Sequence, residues 1–173
     1  RAIDDYPSCN LLVRKDAFLT LGGFRTKFWP GEDTVLCLGI VRELGLKIVY
    51  DPAVLVYHHR RALFGPHLRQ IASYATHRGY FVKRFPQTSL RWAYFMPSLF
   101  LAFLLAGPFI LPRPVFMAFI GAYAALVAAA CLRDRRTAGL VFLGIVASHA
   151  TYGLYFMRGL LTPRLAEEKT NNT

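Results

Sequence analysis

The chain is 173 residues long, 54% hydrophobic and 18% charged, with a formal net charge of +11. A mean hydropathy of +0.32 is too high for an ordinary soluble domain of this size. No Asp or Glu occurs between Asp51 and Asp134. Seven bases in that gap, Arg60, Arg61, Arg69, Arg78, Lys83, Arg84 and Arg91, precede the first long apolar run, which argues against nucleic acid and for anionic membrane headgroups.

The sequence opens at Arg1 without signal-peptide architecture and reads as a fragment lacking its N-terminus. Residues 9–13 are apolar enough for a buried strand, and 15–21 suit a helix that Gly22-Gly23 stops. A loop over 24–31 carries Arg25, Lys27 and Trp29. The next helix is predicted over 32–44, with Leu38, Val41 and Leu44 on one stripe and Gly45 as a left-handed cap. Residues 47–50 and 54–57 read as strands broken by Asp51-Pro52, because proline cannot donate to a central ladder. Cys9, Cys37 and Cys131 are far apart and lack C-x-x-C spacing, so they read as small buried hydrophobes in a reducing compartment.

From 66 to 85 the pattern changes. Leu68, Ile71, Ala72, Ala75 and Val82 form an apolar stripe, and Arg69, Gln70, Ser73, His77, Arg78 and Lys83 take the other side. This predicts a basic amphipathic helix, begun by Pro66 and lying along a membrane interface, although a helix packed on the preceding layer has the same pattern. Three apolar segments follow over 92–111, 115–132 and 138–161, each near the roughly 20 residues that cross a hydrocarbon core. Pro112-Arg113-Pro114 joins the first two tightly, and Arg133, Arg135 and Arg136 lie in the second link. The positive-inside rule places the N-terminal part and that second link on the cytoplasmic side. Three full crossings would then put Arg158, Arg164 and Lys169 outside. The third segment also contains Ser148, His149, Thr151 and Tyr152, so it is tilted, partly re-entrant or packed against other helices.

The acidic turn Gly31-Glu32-Asp33 holds the main chemical candidates. Helix N-terminal amides favour an anion there, so a carboxylate stays ionised and is able to serve as a base, or simply caps the helix. His58, with His59, Arg60 and Arg61, ends the last predicted strand, a place where α/β sheets gather ligands. Trp29 offers an aromatic face for stacking, or a plain core aromatic. Arg78 suits a phosphate, whether a diphosphate or a lipid headgroup.

The run Ser8-Cys9-Asn10-Leu11-Leu12-Val13-Arg14-Lys15, then Gly22-Gly23-Phe24, Gly31-Glu32-Asp33, Gly45-Leu46-Lys47-Ile48-Val49-Tyr50 and Tyr57-His58 resembles the acceptor-side half of a family 2 glycosyltransferase of the GT-A fold. Arg69-Gln70-Ile71, Tyr74 and Arg78 are similar to the succession seen in its membrane-bound, exopolysaccharide-building members. The processive Gln-x-x-Arg-Trp signature is not matched. The resemblance implies inverting transfer, with Asp33 taking the proton from an acceptor hydroxyl and Glu32 orienting the loop or the acceptor. It further implies that Asn10, Trp29, His58, Arg69, Gln70 and Arg78 contact substrate or diphosphate, with His58 a possible metal neighbour. A divalent Mg or Mn ion is implied for a full-length enzyme. Its Asp-x-Asp site is absent here, since Asp4-Asp5 is adjacent and lacks that spacing.

The fold class expected is thus a partial α/β, GT-A-like layer over 1–62, an interfacial basic helix over 63–90, a transmembrane α-helical region of about three helices over 91–162, and a polar tail over 163–173. The expected function is transfer of a sugar from a nucleotide-sugar donor to a lipid-linked or surface-polysaccharide acceptor, in cell-envelope biogenesis. The expected setting is the cytoplasmic membrane, multi-pass, with the acidic turn facing the cytoplasm and no nucleic-acid partner. A fragment of this kind is expected to be inactive alone. The alternative is a non-catalytic membrane-anchored module that binds anionic lipid or a partner protein.

Overall fold

The computed structural model describes residues 1–132 and 135–165. It is mostly helical: β1 (Ala2–Ile3), α1 (Lys15–Thr20), α2 (Glu32–Arg42), β2 (Ile48–Val49), α3 (Gly65–Arg84), α4 (Pro86–Ser89), α5 (Trp92–Ile110), α6 (Arg113–Cys131) and α7 (Ala138–Leu161), with short 3-10 turns at Ser8–Asn10 and Thr26–Phe28.

The helix stops follow local chemistry. Gly23 has φ +76°, and its N–H donates to Phe18 O at 2.9 Å, closing α1. Gly45 has φ +65°, and the Leu46 N–H reaches back to Ile40 O at 3.0 Å, the cap expected after α2. The buried face of α2 differs from the stripe read in the sequence. Val35, Leu36, Cys37 and Ile40 are buried, whereas Leu38, Val41 and Leu44 are half-buried. The reason is that α2 is gripped from two directions. Leu36, Cys37 and Ile40 pack with Ile48, Ile3 and Leu11, while Val35 joins Phe28, Tyr80, Phe81 and Leu165.

The expected α/β layer is reduced to one short ladder, in which β1 and β2 pair antiparallel with Ala2 opposite Val49 and Ile3 opposite Ile48. Residues 9–13 are not a strand: a 3-10 turn ends at Asn10, and Leu11 is extended but unladdered. Residues 54–57 are irregular, with Leu55 80% and Tyr57 104% exposed. Their β-branched and aromatic content carries strand propensity, but a strand also needs a neighbour to take its backbone hydrogen bonds, and none runs beside either segment among the described residues. Asp51 closes the turn read at Asp51-Pro52, its Oδ1 accepting from the Ala53 N–H at 2.9 Å. Cys37 and Cys131 are buried as expected, and Cys9 is exposed.

One face of α3 is used against protein, while Leu68, Ile71, Ala72 and Val82 of its apolar stripe are half-buried. Ala75 is fully buried, and one turn later Gly79 meets α7 backbone to backbone. A Cβ at Gly79 would lie 2.1 Å from Phe156 O, and one at Gly159 would lie 2.1 Å from Thr76 O. Contacts ascend together along both helices. His67 Nε2 lies 3.1 Å from Ser148 Oγ near the start, and Lys83 Nζ donates to Thr162 O at 2.8 Å near the end, so α3 and α7 run in the same direction. His77 and Arg78, read as outward-facing, turn instead toward α2, and His77 is buried.

Three helices, α5, α6 and α7, are long and apolar enough to cross a membrane. Only Leu111 and Pro112 separate α5 from α6, which pack through Phe103 and Phe116 at 5.3 Å. The polar residues of α7 are absorbed by other helices. Ser148 meets α3, His149 Nδ1 lies 2.9 Å from Tyr123 OH of α6, and Gly153 O accepts from Ser98 Oγ of α5 at 2.9 Å. The tail predicted as polar begins inside the core, because Leu165 is only 2% exposed; the remainder of that tail, 166–173, lies outside the described residues.

Gly79→Ala and Gly159→Ala each force a methyl against a carbonyl oxygen, and overpacking of this kind costs about 1–3 kcal/mol or more. Thermal unfolding in detergent should show both destabilised. Gly121→Ala, where a Cβ meets nothing within 4 Å, should be neutral or slightly stabilising.

Candidate functional site

The acidic turn forms where α2 meets α3. Gly31 precedes the helix, and a Cβ there would lie 2.7 Å from the Phe81 ring, so the head of α2 can sit on α3 only with glycine at this point. Phe28 packs edge-on against Phe81 and Phe85 at ring separations of 5.8 and 5.2 Å, which fixes the loop that delivers Glu32 and Asp33.

Asp33 lines a cavity of about 360 Å³ between α2, α3 and α7, together with Asp5, Thr34, Tyr74, His77, Arg78, Tyr94 and Tyr152. Its Oδ2 accepts from the Ser8 N–H at 3.1 Å and its Oδ1 from the Thr34 N–H at 2.8 Å. A carboxylate offers about four acceptor positions, so two remain for an incoming hydroxyl. Asp33 is half-buried, which leaves it reachable.

Arg78 is the cation of this cavity. Its Nη1 lies 3.3 Å from Asp5 Oδ2, its Nη2 donates to Thr34 Oγ1 at 3.5 Å, and its guanidinium sits 4.9 Å above the Tyr94 ring. Thr34 Oγ1 in turn donates to Asp5 Oδ2 at 3.2 Å. These contacts hold Arg78 toward the cavity and away from an open surface. His77 Nδ1 lies 2.9 Å from Ser73 O, a pure acceptor, so Nδ1 carries the proton and Nε2 holds the lone pair in the neutral ring.

Glu32 differs from its neighbour. Its Oε2 is buried and meets no hydrogen-bond partner among the described residues. Burial pushes its carboxyl above the ordinary glutamate range and the Asp33 charge adds to the rise, while His77 opposes it. The pair therefore holds one group that resists ionisation beside another ringed by donors.

The other residues singled out in the sequence divide into three places. Trp29, Arg69 and Gln70 come together in a groove of about 210 Å³, which shares Pro30 and Tyr74 with the Asp33 cavity and adds Arg61. Gln70 Nε2 donates to Tyr74 OH at 3.5 Å, and Trp29 is 57% exposed. Asn10 lies elsewhere, in a separate apolar cavity beside Leu11, Ile40 and Ile48, where its Nδ2 donates to Val54 O at 3.2 Å. His58 is exposed in the irregular segment after β2, at no strand end. Among the described residues no three His, Cys, Asp or Glu side chains gather as metal ligands.

Asp5, Thr34, His77, Tyr94 and Tyr152 belong to the cavity but were not candidates in the sequence. Asp5 lacked metal-site spacing, and Tyr152 sat inside an apolar helix. The one available signal was the polar cluster around Tyr152 in a segment otherwise fit to span a membrane.

Two measurements check this electrostatic picture. A glutamate whose folded pKa is raised contributes stability below the ordinary glutamate range and loses it as pH rises. Glu32→Gln should therefore raise the melting temperature relative to wild type at pH 7–8, and the difference should shrink toward pH 4. Separately, burial together with the charges of Asp5, Asp33 and Asp4 pushes the Cys37 thiol up to about 11. At pH 8 a thiol-alkylating reagent should label exposed Cys9 within minutes and leave Cys37 intact until the chain is denatured.

Compared with protein families, curated proteins and solved structures, the chain matches none.

Proposed function

We propose that this chain carries the acceptor-activating part of a membrane-associated glycosyltransferase, in which Asp33 is the general base. The observation that carries the reading is the juxtaposition, in one cavity, of the Asp33 carboxylate, the Arg78 guanidinium and a wall of tyrosines, beside helices suited to a bilayer.

In this mechanism an acceptor hydroxyl donates to a free lone pair of Asp33 and loses its proton to it while the oxygen attacks the anomeric carbon of a nucleotide-sugar. The bond to the diphosphate breaks on the opposite face. Arg78 supplies fixed positive charge in the same cavity, and its planar fork suits phosphate oxygens. The groove of Trp29, Tyr74, Arg61 and Arg69 continues from the cavity and supplies aromatic faces and bases along which a lipid-linked or polysaccharide acceptor is held. Glu32 positions the turn. The GT-A layer, the cytoplasmic orientation and an acceptor in the cell envelope belong to the same proposal and rest on the sequence resemblance.

A second reading is favoured by one contact. Asp33 Oδ2 ties the loop around Ser8 to the head of α2, which is a structural role sufficient for a non-catalytic membrane module.

Asp33→Asn separates the two, because asparagine cannot take a proton yet keeps an acceptor oxygen for one of the two backbone N–H groups, of Ser8 and Thr34, that Asp33 binds. Measured with a panel of nucleotide-sugars, the variant should lose about 10²- to 10⁴-fold in transfer rate while its melting temperature falls only slightly and membrane insertion holds. Wild-type turnover in that variant would leave only the structural role.

A further inference from the structure

We infer that α7 is not a third crossing of the bilayer but lies along its surface beside α3, resting on lipid through the stripe Leu140, Leu143, Ala150, Leu154, Met157 and Leu161. The inference holds whether or not the chain transfers sugars.

Parity carries it. The start of α5 is tied to the α2 layer, since Arg91 Nη2 lies 2.6 Å from Asp4 Oδ2. The exit of α7 returns to the same layer, because Leu165 packs with Phe28, Val35 and Phe81, and Lys83 Nζ donates to Thr162 O at 2.8 Å. A chain that leaves and re-enters one side crosses an even number of times. The α5–α6 hairpin, two helices of 19 residues each, supplies two crossings. A third would place Leu165 across the membrane from the residues it touches.

The companion of α7 gives a second argument. From His67 against Ser148 to Lys83 against Thr162, α3 runs the same way as α7 and in contact with it. Were α7 to span, Arg69, Arg78, Lys83 and Arg84 would be carried through hydrocarbon with it, where charged side chains are strongly disfavoured. Length and hydropathy do not decide the matter, since 24 residues make a helix of roughly 36 Å, enough for either disposition.

The two faces of α7 supply the third argument. Gly144, Ser148, Phe156 and Gly159 face protein, with Gly144, Phe156 and Gly159 buried. The exposed residues of the stripe recur at intervals of three, four and seven, which places them on one side. Arg158 borders that stripe, and Arg135 and Arg136 precede the helix, at the level where anionic headgroups would lie.

The test uses the full chain in vesicles of phosphatidylcholine with phosphatidylglycerol. Cys9, Cys37 and Cys131 are replaced by serine or alanine, and single spin labels are placed through Leu140→Cys, Ala150→Cys, Leu154→Cys and Leu161→Cys, all on exposed positions. Similar shallow depths at all four support the surface helix. A depth profile that peaks at Ala150 and reaches water at both ends overturns it, as do four labels that remain fully in water. In whole cells, an impermeant maleimide should label Arg113→Cys from one side of the membrane and native Cys9 and Arg164→Cys only from the other. Labelling of Arg164→Cys from the side that labels Arg113→Cys would refute the inference independently of the depth data.

Discussion

The contact between α3 and α7 at Gly79 and Gly159 governs everything built around it. There the two backbones touch with no side chain between them, since a methyl at either glycine would sit 2.1 Å from a carbonyl oxygen. Such an approach buries backbone against backbone and leaves little freedom to rotate either helix. With α3 held in that rotation, Ala75 and Gly79 face α7, while His77 and Arg78 face α2. The orientation of the candidate site is therefore set by two missing side chains on its far side.

From that seam the structure extends in two directions. Toward the N-terminal layer, Phe81 receives Gly31 and Phe28, and this aromatic packing brings the acidic turn over the cavity. Toward the apolar helices, Gly153 lets α7 approach Pro97 of α5, with a carbonyl 2.6 Å from where a Cβ would stand. Tyr152, next to Gly153 on α7, lines the cavity that Asp33 lines. One helix thus joins the charged site to the apolar hairpin, and Leu165 closes the loop by packing beneath α2. Residues from before 62, from 63–90 and from beyond 162 meet in one cluster, Phe28 and Val35 with Tyr80, Phe81 and Leu165.

Two acids in sequence also acquire different characters from this arrangement. Asp33 faces the cavity and collects two backbone N–H donors, whereas Glu32 turns an oxygen into protein where no donor among the described residues meets it. Adjacent residues on a helix point about 100° apart, so one turn of chain suffices to give one carboxylate a polar environment and the other a dry one.

Several features were legible from residue order because their causes are local. Left-handed glycines at 23 and 45 end α1 and α2 where the sequence placed those stops. The twenty residues of α3 and the three long apolar helices follow from periodicity and composition, and Asp33 and Arg78 do enter one cavity. What failed depended on partners distant in sequence. Segments 9–13 and 54–57 carry strand-like residues but have no adjacent strand among the described residues, and His77 and Arg78 of α3 turn toward α2. By itself the sequence determined which stretches are helical, which are apolar enough for lipid and which turn holds paired acids, since these depend on propensity and patterning over a few residues. Only tertiary structure decided which face of each helix meets protein, which acid keeps access to a cavity and which residues the end of α7 packs against, because each depends on contacts between residues distant in sequence.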